Sequence, residues 1–165
     1  DFAKENGLIL EYDNERDTQV IDEENLILKI KELLKRCKDS ILIIESHYAD
    51  IIPNENIIAA VVLRTDPFVL EKRLAMRNYK AGKIKENVQA EILNDCGSFL
   101  LEKGLTVPIL EYDTTNLSVE LIAKEINENI IAIDMDVKSE SEKREKNTFI
   151  DWFSIYDYKL DRFFT

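Results

Sequence analysis

Three short runs of apolar residues, each ended abruptly by polar or charged residues, constrain the fold of this chain most strongly. The runs occupy residues 41–44, 59–63 and 107–110. A continuous apolar run of this kind is typical of a buried parallel strand that delivers polar residues to its carboxyl end. Stretches with helical spacing of apolar residues separate the runs. The pattern therefore predicts an α/β protein with a parallel sheet and flanking helices.

The spacing of apolar residues at three and four predicts the helices. One begins near residue 25, a second covers 68–77 behind Pro67, a longer one covers 84–100, and another covers 122–133. Residues 78–83 are expected to form a mobile loop between two of these helices. Residues 7–22 are rich in acids and turn formers, which predicts a surface loop.

The end of the chain changes character. Residues 136–148 are highly charged and lack an apolar period, which indicates a solvated linker or helix face. Residues 149–165 carry aromatic residues at helical spacing, which predicts a terminal amphipathic helix. That helix could pack on the core or bind a partner protein, and packing is favoured because helical aromatic stripes are usually buried. The α/β core then covers residues 1–135.

Composition narrows the class of function. A chain of 165 residues with 45% hydrophobic residues can bury the core of one ordinary domain. Its net charge of −11 argues against general binding of nucleic-acid backbones, which requires Lys and Arg at phosphates. We expect no membrane span, because the apolar runs are far shorter than the roughly 20 residues a bilayer needs. Cys37 and Cys96 are interpreted as buried thiols in a reducing compartment, so a cytoplasmic location is expected, or a nuclear one in a eukaryote.

Polar side chains follow the predicted strands. Glu45, His47 and Asp50 come after the first run, and Arg64 follows the second. In open α/β sheets, ligands bind at the carboxyl ends of the strands. An acid there can hold magnesium, and the histidine can contact a phosphate. The simpler alternative is that Glu45 caps a helix and His47 lies in a surface loop.

A second candidate site is a cluster of basic residues. Arg73 and Arg77 are four residues apart, so their guanidinium groups project from one helix face. Guanidinium groups suit phosphate oxygens and stabilise a phosphoryl group in transfer. Lys80, Lys83 and Lys85 follow closely. The alternative is a solvated helix end, where the helix dipole favours lysines.

No Walker A loop occurs in these residues. Such a loop needs closely spaced glycines followed by Lys and Ser or Thr, so that backbone amides can surround phosphate. The only Gly-Lys pair, Gly82-Lys83, is followed by Ile84. Taken by themselves, these residues contain no motif that indicates nucleotide binding.

Several short motifs resemble the adenylate kinase isoenzyme 6 family in their order and spacing. The motifs are Tyr12-Asp13-Asn14-Glu15-Arg16-Asp17, Ile21-Asp22-Glu23-Glu24, Ile44-Glu45-Ser46-His47-Tyr48-Ala49-Asp50, Leu63-Arg64-Thr65-Asp66-Pro67, Arg73-Leu74, Arg77-Asn78-Tyr79 and Glu86-Asn87-Val88-Gln89-Ala90-Glu91-Ile92. The resemblance covers roughly the first two thirds of the chain. It implies a P-loop nucleoside monophosphate (NMP) kinase fold with three layers and a five-stranded parallel sheet.

The resemblance also implies roles for particular segments. Residues 1–21 match the NMP-binding region, and residues 76–86 match the lid that closes over ATP. Arg77 takes the place of the lid arginine that binds ATP, with Arg73 as phosphate support. Glu45 and His47 take the places of an Asp-x-His pair at the metal and phosphate site. The implied NMP-binding residues are Tyr12, Asp13, Arg16 and Asp17.

The chain departs from the family pattern at three places. Glu45 replaces an Asp and is one methylene longer, so its contact with magnesium could be mediated by water. Asn78 replaces a Gly, which is tolerable because Asn also adopts positive φ. By alignment with the family, roughly thirty residues that hold the first two strands, the Walker A loop and the first helix should precede Asp1. We therefore expect residues 1–165 to be nearly inactive by themselves.

For the complete protein, the resemblance implies reversible transfer of the ATP γ-phosphoryl group to AMP or another NMP, with magnesium and with some ATPase activity. The alternative belongs to another class of function. It is an ATP-dependent assembly factor that binds a small-subunit ribosomal protein on the pre-ribosome, and the acidic charge suits a basic partner. No sequence-specific DNA binding is expected.

Overall fold

The computed structural model of the chain describes residues 2–14, 18–37, 40–46, 52–137 and 149–165. The chain divides into two compact units, Asp1–Asn56 and Ile57–Thr165. Among the helices of the described residues, none combines the length and apolar character that crossing a membrane requires. Each unit is built around its own small apolar core.

The first unit is a β-hairpin followed by a helix. A short helix α1 (Phe2–Glu5) leads into β1 (Ile9–Asp13), which pairs antiparallel with β2 (Thr18–Ile21), and α2 (Glu23–Arg36) follows. Asp22 caps α2, since its side chain accepts a hydrogen bond from the Asn25 backbone N–H at 3.1 Å. The buried core side chains are Leu8, Leu26 and Ile30.

The hairpin corrects the prediction of a surface loop for residues 7–22. The β-branched residues Thr18, Val20 and Ile21 favour an extended strand, and Ile9 pairs with Ile21 across the hairpin. The turn formers that suggested a loop belong to the connection between the two strands, where Asn14 lies in a turn. The helix predicted from residue 25 is confirmed as α2.

The first apolar run is not a strand in the structure. Residues 41–46 have no assigned secondary structure, and Ile41 and Ile43 are 49% and 88% exposed. Leu42 and Ile44 are partly buried, and Ile44 packs on the core of the first unit. The run thus buries alternate side chains, but in the described structure no neighbouring strand pairs with it. Pairing between backbones is what makes a strand, and an apolar composition cannot supply it.

The second unit contains the parallel pair that the sequence predicts. Strand β3 (Ala60–Arg64) pairs with β4 (Ile109–Asp113), with Ala60 opposite Ile109 and Arg64 opposite Asp113. The parallel crossover runs through α3 (Pro67–Met76), α4 (Ala81–Leu93) and α5 (Asp95–Glu102), and α6 (Val119–Val137) follows β4. The α/β class is confirmed, and the bounds of β3 and β4 lie within one to three residues of the predicted runs.

The helices on either side of residue 94 correct one prediction. The expected long helix over 84–100 is two helices, because Asn94 adopts a left-handed conformation with φ of 56° and ends α4. Its side chain then accepts a hydrogen bond from the Gly97 backbone N–H at 3.2 Å and caps α5. A Cβ at position 97 would lie 2.5 Å from this side chain, so the cap requires glycine there.

The predicted mobile loop is shorter than expected. Helix α4 begins at Ala81, so only residues 77–80 separate it from α3. Asn78 has φ of 59°, which confirms that an asparagine at this position adopts the left-handed conformation. The short, exposed segment of residues 77–80 is therefore a tight connection between two helices.

The end of the chain is packed, as favoured, but it is not one helix. Helix α7 (Trp152–Tyr156) is followed by a 3-10 helix, Asp157–Phe163, and the change occurs at Asp157, whose φ is 49°. Trp152, Leu160 and Phe163 are buried against side chains of α3 and α4. The first residues of the predicted linker belong to α6, and residues 138–148 lie outside the described structure.

Candidate functional site

A buried arginine organises the carboxyl end of β3. The Arg64 side chain is 2% exposed and forms ion pairs with Glu91 (Nε to Oε1, 2.7 Å) and Glu111 (Nη1 to Oε1, 2.6 Å). Its Nη2 donates to the Glu91 backbone carbonyl at 2.8 Å. Trp152 Nε1 donates to Glu91 Oε1, the carboxylate oxygen that also pairs with Arg64, at 2.8 Å. All these partners belong to the protein itself, so Arg64 joins a strand, a helix and the end of the chain and is not a free ligand for phosphate.

Burial affects the charge of this cluster. Desolvation raises the pKa of the Glu91 carboxyl, even though the indole N–H of Trp152 and the guanidinium of Arg64 both act to lower it. The second carboxylate, Glu111, accepts a hydrogen bond from the Ile150 backbone N–H at 2.5 Å. The cluster therefore holds the beginning of the final segment against the sheet.

The residues after the two strands form a hydrogen-bonded edge. The hydroxyls of Thr65 and Thr114 are 2.7 Å apart, and the Asp66 backbone N–H donates to Thr115 Oγ1 at 2.8 Å. Asp66 also caps α3, since its Oδ1 accepts from the backbone N–H groups of Phe68 and Val69 at 2.8 and 3.1 Å. Helix α3 thus begins directly at the edge where ligands bind in open α/β sheets.

Arg73 reaches this same edge. Its Nη2 donates to the backbone carbonyls of Thr114 and Thr115 at 3.1 and 2.9 Å, and its Nη1 lies 3.4 Å from Thr65 Oγ1. A guanidinium group has five N–H donors, so these three contacts leave some donors unused. The structure places Arg73 at the carboxyl edge but does not test its predicted phosphate contact.

Arg77 is in a different situation from Arg73. It is the C-cap residue of α3, where its backbone N–H donates to the Leu74 carbonyl at 3.1 Å, and its exposed side chain has no hydrogen bond or ion pair with the described residues. Arg73 lies in the last turn of α3 and Arg77 directly follows the helix, and the structure does not test whether the two bind one phosphate group together. Of the nearby lysines, Lys83 pairs with Glu86 at 3.2 Å.

The other predicted site residues belong to the first unit or lie outside the described residues. Tyr12 and Asp13 are on β1, with Tyr12 49% exposed. Glu45 is exposed and has no ion pair or hydrogen bond with the described residues. Four further site candidates, namely Arg16, Asp17, His47 and Asp50, lie outside the described residues.

Sequence reasoning missed three side chains that build the edge. Asp66, Glu91 and Tyr156 connect α3, α4 and the end of the chain, and the Tyr156 hydroxyl donates to Asp66 Oδ2. Only Asp66 had a local signal, because an acid directly before a proline is a helix-start pattern. The contacts of Glu91 and Tyr156 span 27 and 90 residues of sequence, which a single sequence does not reveal.

The cysteines differ from the prediction of buried thiols. Cys37 is partly exposed and Cys96 is exposed, and both are free. Cys96 lies on α5 beside Gly97, and it is Gly97 and Leu100 that face inward from that helix. Among the described residues, no group of three or more His, Cys, Asp or Glu side chains is arranged to hold a metal ion.

The fold and the edge define the class of protein. Parallel strands joined by helices, with polar side chains gathered at the carboxyl edge, characterise the open α/β proteins that bind ligands at that edge. The family model described as an AAA domain matches residues 1–94, and the chain belongs to this family.

Similar proteins identify the family of this chain more narrowly. A protein of Methanocaldococcus jannaschii named "Putative adenylate kinase" is 36% identical over 157 residues, which are 94% of this chain and 77% of the relative. A protein of the same name from Methanococcus maripaludis is 30% identical over 161 residues, or 98% of this chain and 80% of the relative. The yeast "Adenylate kinase isoenzyme 6 homolog FAP7" of Saccharomyces cerevisiae is 38% identical over 93 residues, or 56% of this chain and 46% of the relative. The chain belongs to the family of these archaeal proteins.

Proposed function

We propose that this protein is a nucleoside monophosphate kinase of the isoenzyme 6 type, which transfers the γ-phosphoryl group of ATP to AMP or another NMP. The observation that carries the proposal is the similarity to proteins named as adenylate kinases over 94% and 98% of the chain. The order of the isoenzyme 6 motifs supports the finer assignment, as does the similarity to the yeast protein.

Arg77 is the proposed lid group that binds and neutralises ATP phosphates. It is the exposed cation at the end of α3, and the described residues leave its guanidinium available. Phosphoryl transfer needs little covalent chemistry from the protein, so positioning and charge neutralisation are the main tasks. Arg73 would support the phosphates with the N–H groups that the described residues leave without a partner, from a side chain that its other bonds tie to the loop after β4.

The acceptor is proposed to bind in the first unit. Tyr12 and Asp13 on β1, with Arg16 and Asp17 just beyond that strand, are the proposed NMP-binding residues. Successive side chains of a strand point to opposite faces, so Tyr12 and Asp13 lie on different faces of the hairpin, and the exposed Tyr12 ring is the one that suits contact with a flat base. His47, two residues after Glu45 in sequence, is proposed to contact the transferring phosphate.

Magnesium is the proposed cofactor, and Glu45 is the carboxylate that would hold it. In kinases this ion is held through one or two carboxylates together with substrate phosphates and water, so a group of three protein ligands is not required. An exposed carboxylate without a partner among the described residues fits that role. Bound magnesium would neutralise charge on the phosphates of ATP.

The proposal is tested by measuring ADP formation from magnesium-ATP by the full-length protein, with and without AMP. A kinase forms ADP much faster when AMP is present, and conversion of radiolabelled AMP to ADP would establish the transfer directly. Equal, slow ADP formation with and without AMP would contradict the kinase proposal. Glu45→Gln should lower the rate and weaken its magnesium dependence, whereas Glu55→Gln, an exposed control in the same unit, should leave both unchanged.

A second candidate is an ATP-dependent assembly factor that binds a basic small-subunit ribosomal protein on the pre-ribosome in the cytoplasm or nucleus. Two observations favour it. The net charge is −11, and the outer face of the last segment exposes Phe153, Ile155, Tyr158 and Phe164 at 43–71%. Binding of such a ribosomal protein that is weakened by ATP, together with ATP hydrolysis that is independent of AMP, would support this candidate over the kinase.

A further inference from the structure

The last segment of the chain, residues 149–165 and here called the C-terminal strap, lies across two helices of the second unit. It contacts α3 through two polar pairs, Tyr156 with Asp66 and Arg162 with Glu71. It contacts α4 through Trp152 Nε1 on Glu91 Oε1 at 2.8 Å and through Gln89 Nε2, which donates to the Phe163 carbonyl at 2.6 Å. The strap is therefore bonded to both helices and not to one alone.

The apolar side chains of the strap also pack against both helices. The buried strap residues Trp152, Leu160 and Phe163 form one core cluster with Leu74 of α3 and with Val88 and Ile92 of α4. The ring of Phe68, at the start of α3, lies 5.1 Å from the ring of Tyr156 in an edge-to-face arrangement and 5.6 Å from that of Phe163. The strap thus fills the space between α3 and α4.

These two helices meet in the proposed lid, residues 76–86, which covers the last residue of α3, the connection 77–80 and the first six residues of α4. Helix α3 ends at Met76 and α4 begins at Ala81, so residues 77–80 alone connect the two helices. A connection this short restricts how far these residues can move. The direction in which Arg77 projects is therefore determined by the relative orientation of α3 and α4. Whatever fixes those helices also fixes the base of the lid.

Tyr156 connects the strap to Asp66, the residue that caps α3. Asp66 uses Oδ1 to cap α3 and Oδ2 to accept the Tyr156 hydroxyl, so each carboxylate oxygen has its own task. The hydrogen bond to Asp66 also raises the pKa of the Tyr156 hydroxyl, which keeps the donor protonated. Tyr156 links the strap to the carboxyl edge of β3, at the residue that caps α3.

We propose that the C-terminal strap is a positioning element for the lid, and that Tyr156 is the positioning residue that holds the start of α3 through Asp66. The strap sets the orientation of α3 relative to α4 and thereby presents Arg77. Tyr156 acts through Asp66 and does not itself touch the reacting groups. The inference rests on the proposed function only where it identifies residues 77–80 as the base of a lid.

The test compares Tyr156→Phe with Tyr158→Phe in the full-length protein. Both changes remove one phenolic hydroxyl from the same segment, but Tyr158 is 71% exposed and has no polar partner among the described residues. Hydrogen–deuterium exchange is followed in peptides that cover α3 and α4, with α6 as the reference helix. None of the described α6 side chains belongs to the strap's core cluster.

We expect Tyr156→Phe to speed amide exchange in α3 and α4 by about tenfold, the effect of losing a hydrogen bond to a charged group, while α6 exchanges as in the wild type. The same variant should lower kcat several-fold and leave the KM for AMP within about twofold. Tyr158→Phe should leave both measurements unchanged. Faster exchange that includes α6 equally, or a Tyr156→Phe protein that matches Tyr158→Phe, would overturn the inference.

The exchange measurement requires no nucleotide turnover. If the wild-type protein shows no AMP-dependent ADP formation, the kinase proposal fails, and the exchange pattern still decides whether the strap controls α3 and α4. If turnover is present but exchange in α3 and α4 is insensitive to Tyr156→Phe, only the strap inference fails.

Discussion

The carboxyl edge of β3 and the segment after α3 both carry arginines, but they use them differently. Arg64 is buried and bonded to two carboxylates, and Arg73 is bonded to the loop after β4. Arg77, only four residues beyond Arg73, is exposed, and its guanidinium group has no hydrogen-bond or ion-pair partner in the described part of the chain. In the first region, the arginine side chains bond to other groups of the protein. In the second region, the Arg77 guanidinium is available to solvent or to a ligand.

The difference shows that some residues of a family's motifs maintain the structure, whereas others are available to bind a ligand. The Leu-Arg-Thr-Asp block resembles a signature of a nucleotide enzyme, yet its arginine serves the core and its aspartate caps a helix. A substitution in the edge should therefore act first on stability. A substitution at Arg77 should act on activity alone.

The largest expected effect is that of Arg64→Met. Removing one member of a buried ion-pair cluster leaves uncompensated charge, here on Glu91 and Glu111, which should cost about 3–5 kcal/mol of unfolding free energy. Urea unfolding at neutral pH measures it. A loss below about 1 kcal/mol would show that the edge is not held by Arg64, and the comparison between the two regions would lose its basis.

Asp66→Ala should come next, with a loss of about 1–2 kcal/mol in the unfolding free energy, because the α3 cap disappears together with the acceptor for Tyr156. The matched change Asp66→Asn keeps a side-chain oxygen for the cap and should recover most of that stability. If Asn were as destabilising as Ala, capping would not be the main task of this side chain.

A smaller effect is expected at the start of the lid segment. Asn78 has φ of 59°, a conformation that costs about 1 kcal/mol or more for a residue with a Cβ and no local side-chain hydrogen bond. Asn78→Ala should lower the unfolding free energy by about 1 kcal/mol, and Asn78→Gly should not. Equal stability of the two variants would mean that the left-handed conformation is not maintained in solution.

The pH dependence of stability should report on Glu91. Burial raises the pKa of this carboxyl above 4.5 in the folded protein, so the folded state holds the proton more tightly than the unfolded state. Its contribution to stability is therefore fully present below pH 4.5 and is lost as the pH rises through the folded pKa. The acids with lowered pKa values, such as Asp22 and Asp151, titrate below that window.

Unfolding free energies measured from pH 4.5 upwards should thus decline in the wild type. Glu91→Gln keeps an oxygen for Arg64 and Trp152 but cannot titrate, so the decline should become shallower. An identical pH slope in the variant would assign the pH dependence to other groups.

The sequence predicted the elements whose signals are local. Apolar runs located β3 and β4, and helical spacing located α2, α3 and α6, because burial of one face requires those patterns. Residues 41–44 carry the same signal as β3 and yet form no strand among the described residues, since pairing depends on a neighbour that a local pattern does not show. The hairpin of β1 and β2 was hidden by the turn formers that connect its strands.

The candidate site was predictable to a similar extent. The basic cluster and the exposed Arg77 were identified from spacing and from the resemblance, and the left-handed Asn78 was anticipated from its residue type. The bonds of Arg73 to Thr114 and Thr115, and the contact of Tyr156 with Asp66, join distant parts of the sequence. Such contacts follow from tertiary packing and have no local signal.

The most direct test of the account is to measure both stability and AMP-dependent ADP formation for Arg77→Ala in the full-length protein. Lys72→Ala is the control, because it removes one exposed positive charge from the same helix. The account predicts that Arg77→Ala leaves the unfolding free energy within about 0.5 kcal/mol of the wild type and lowers turnover by about 100-fold or more, while Lys72→Ala changes neither. Full turnover in Arg77→Ala, or a loss of turnover that accompanies a large loss of stability, would contradict the division between the two regions.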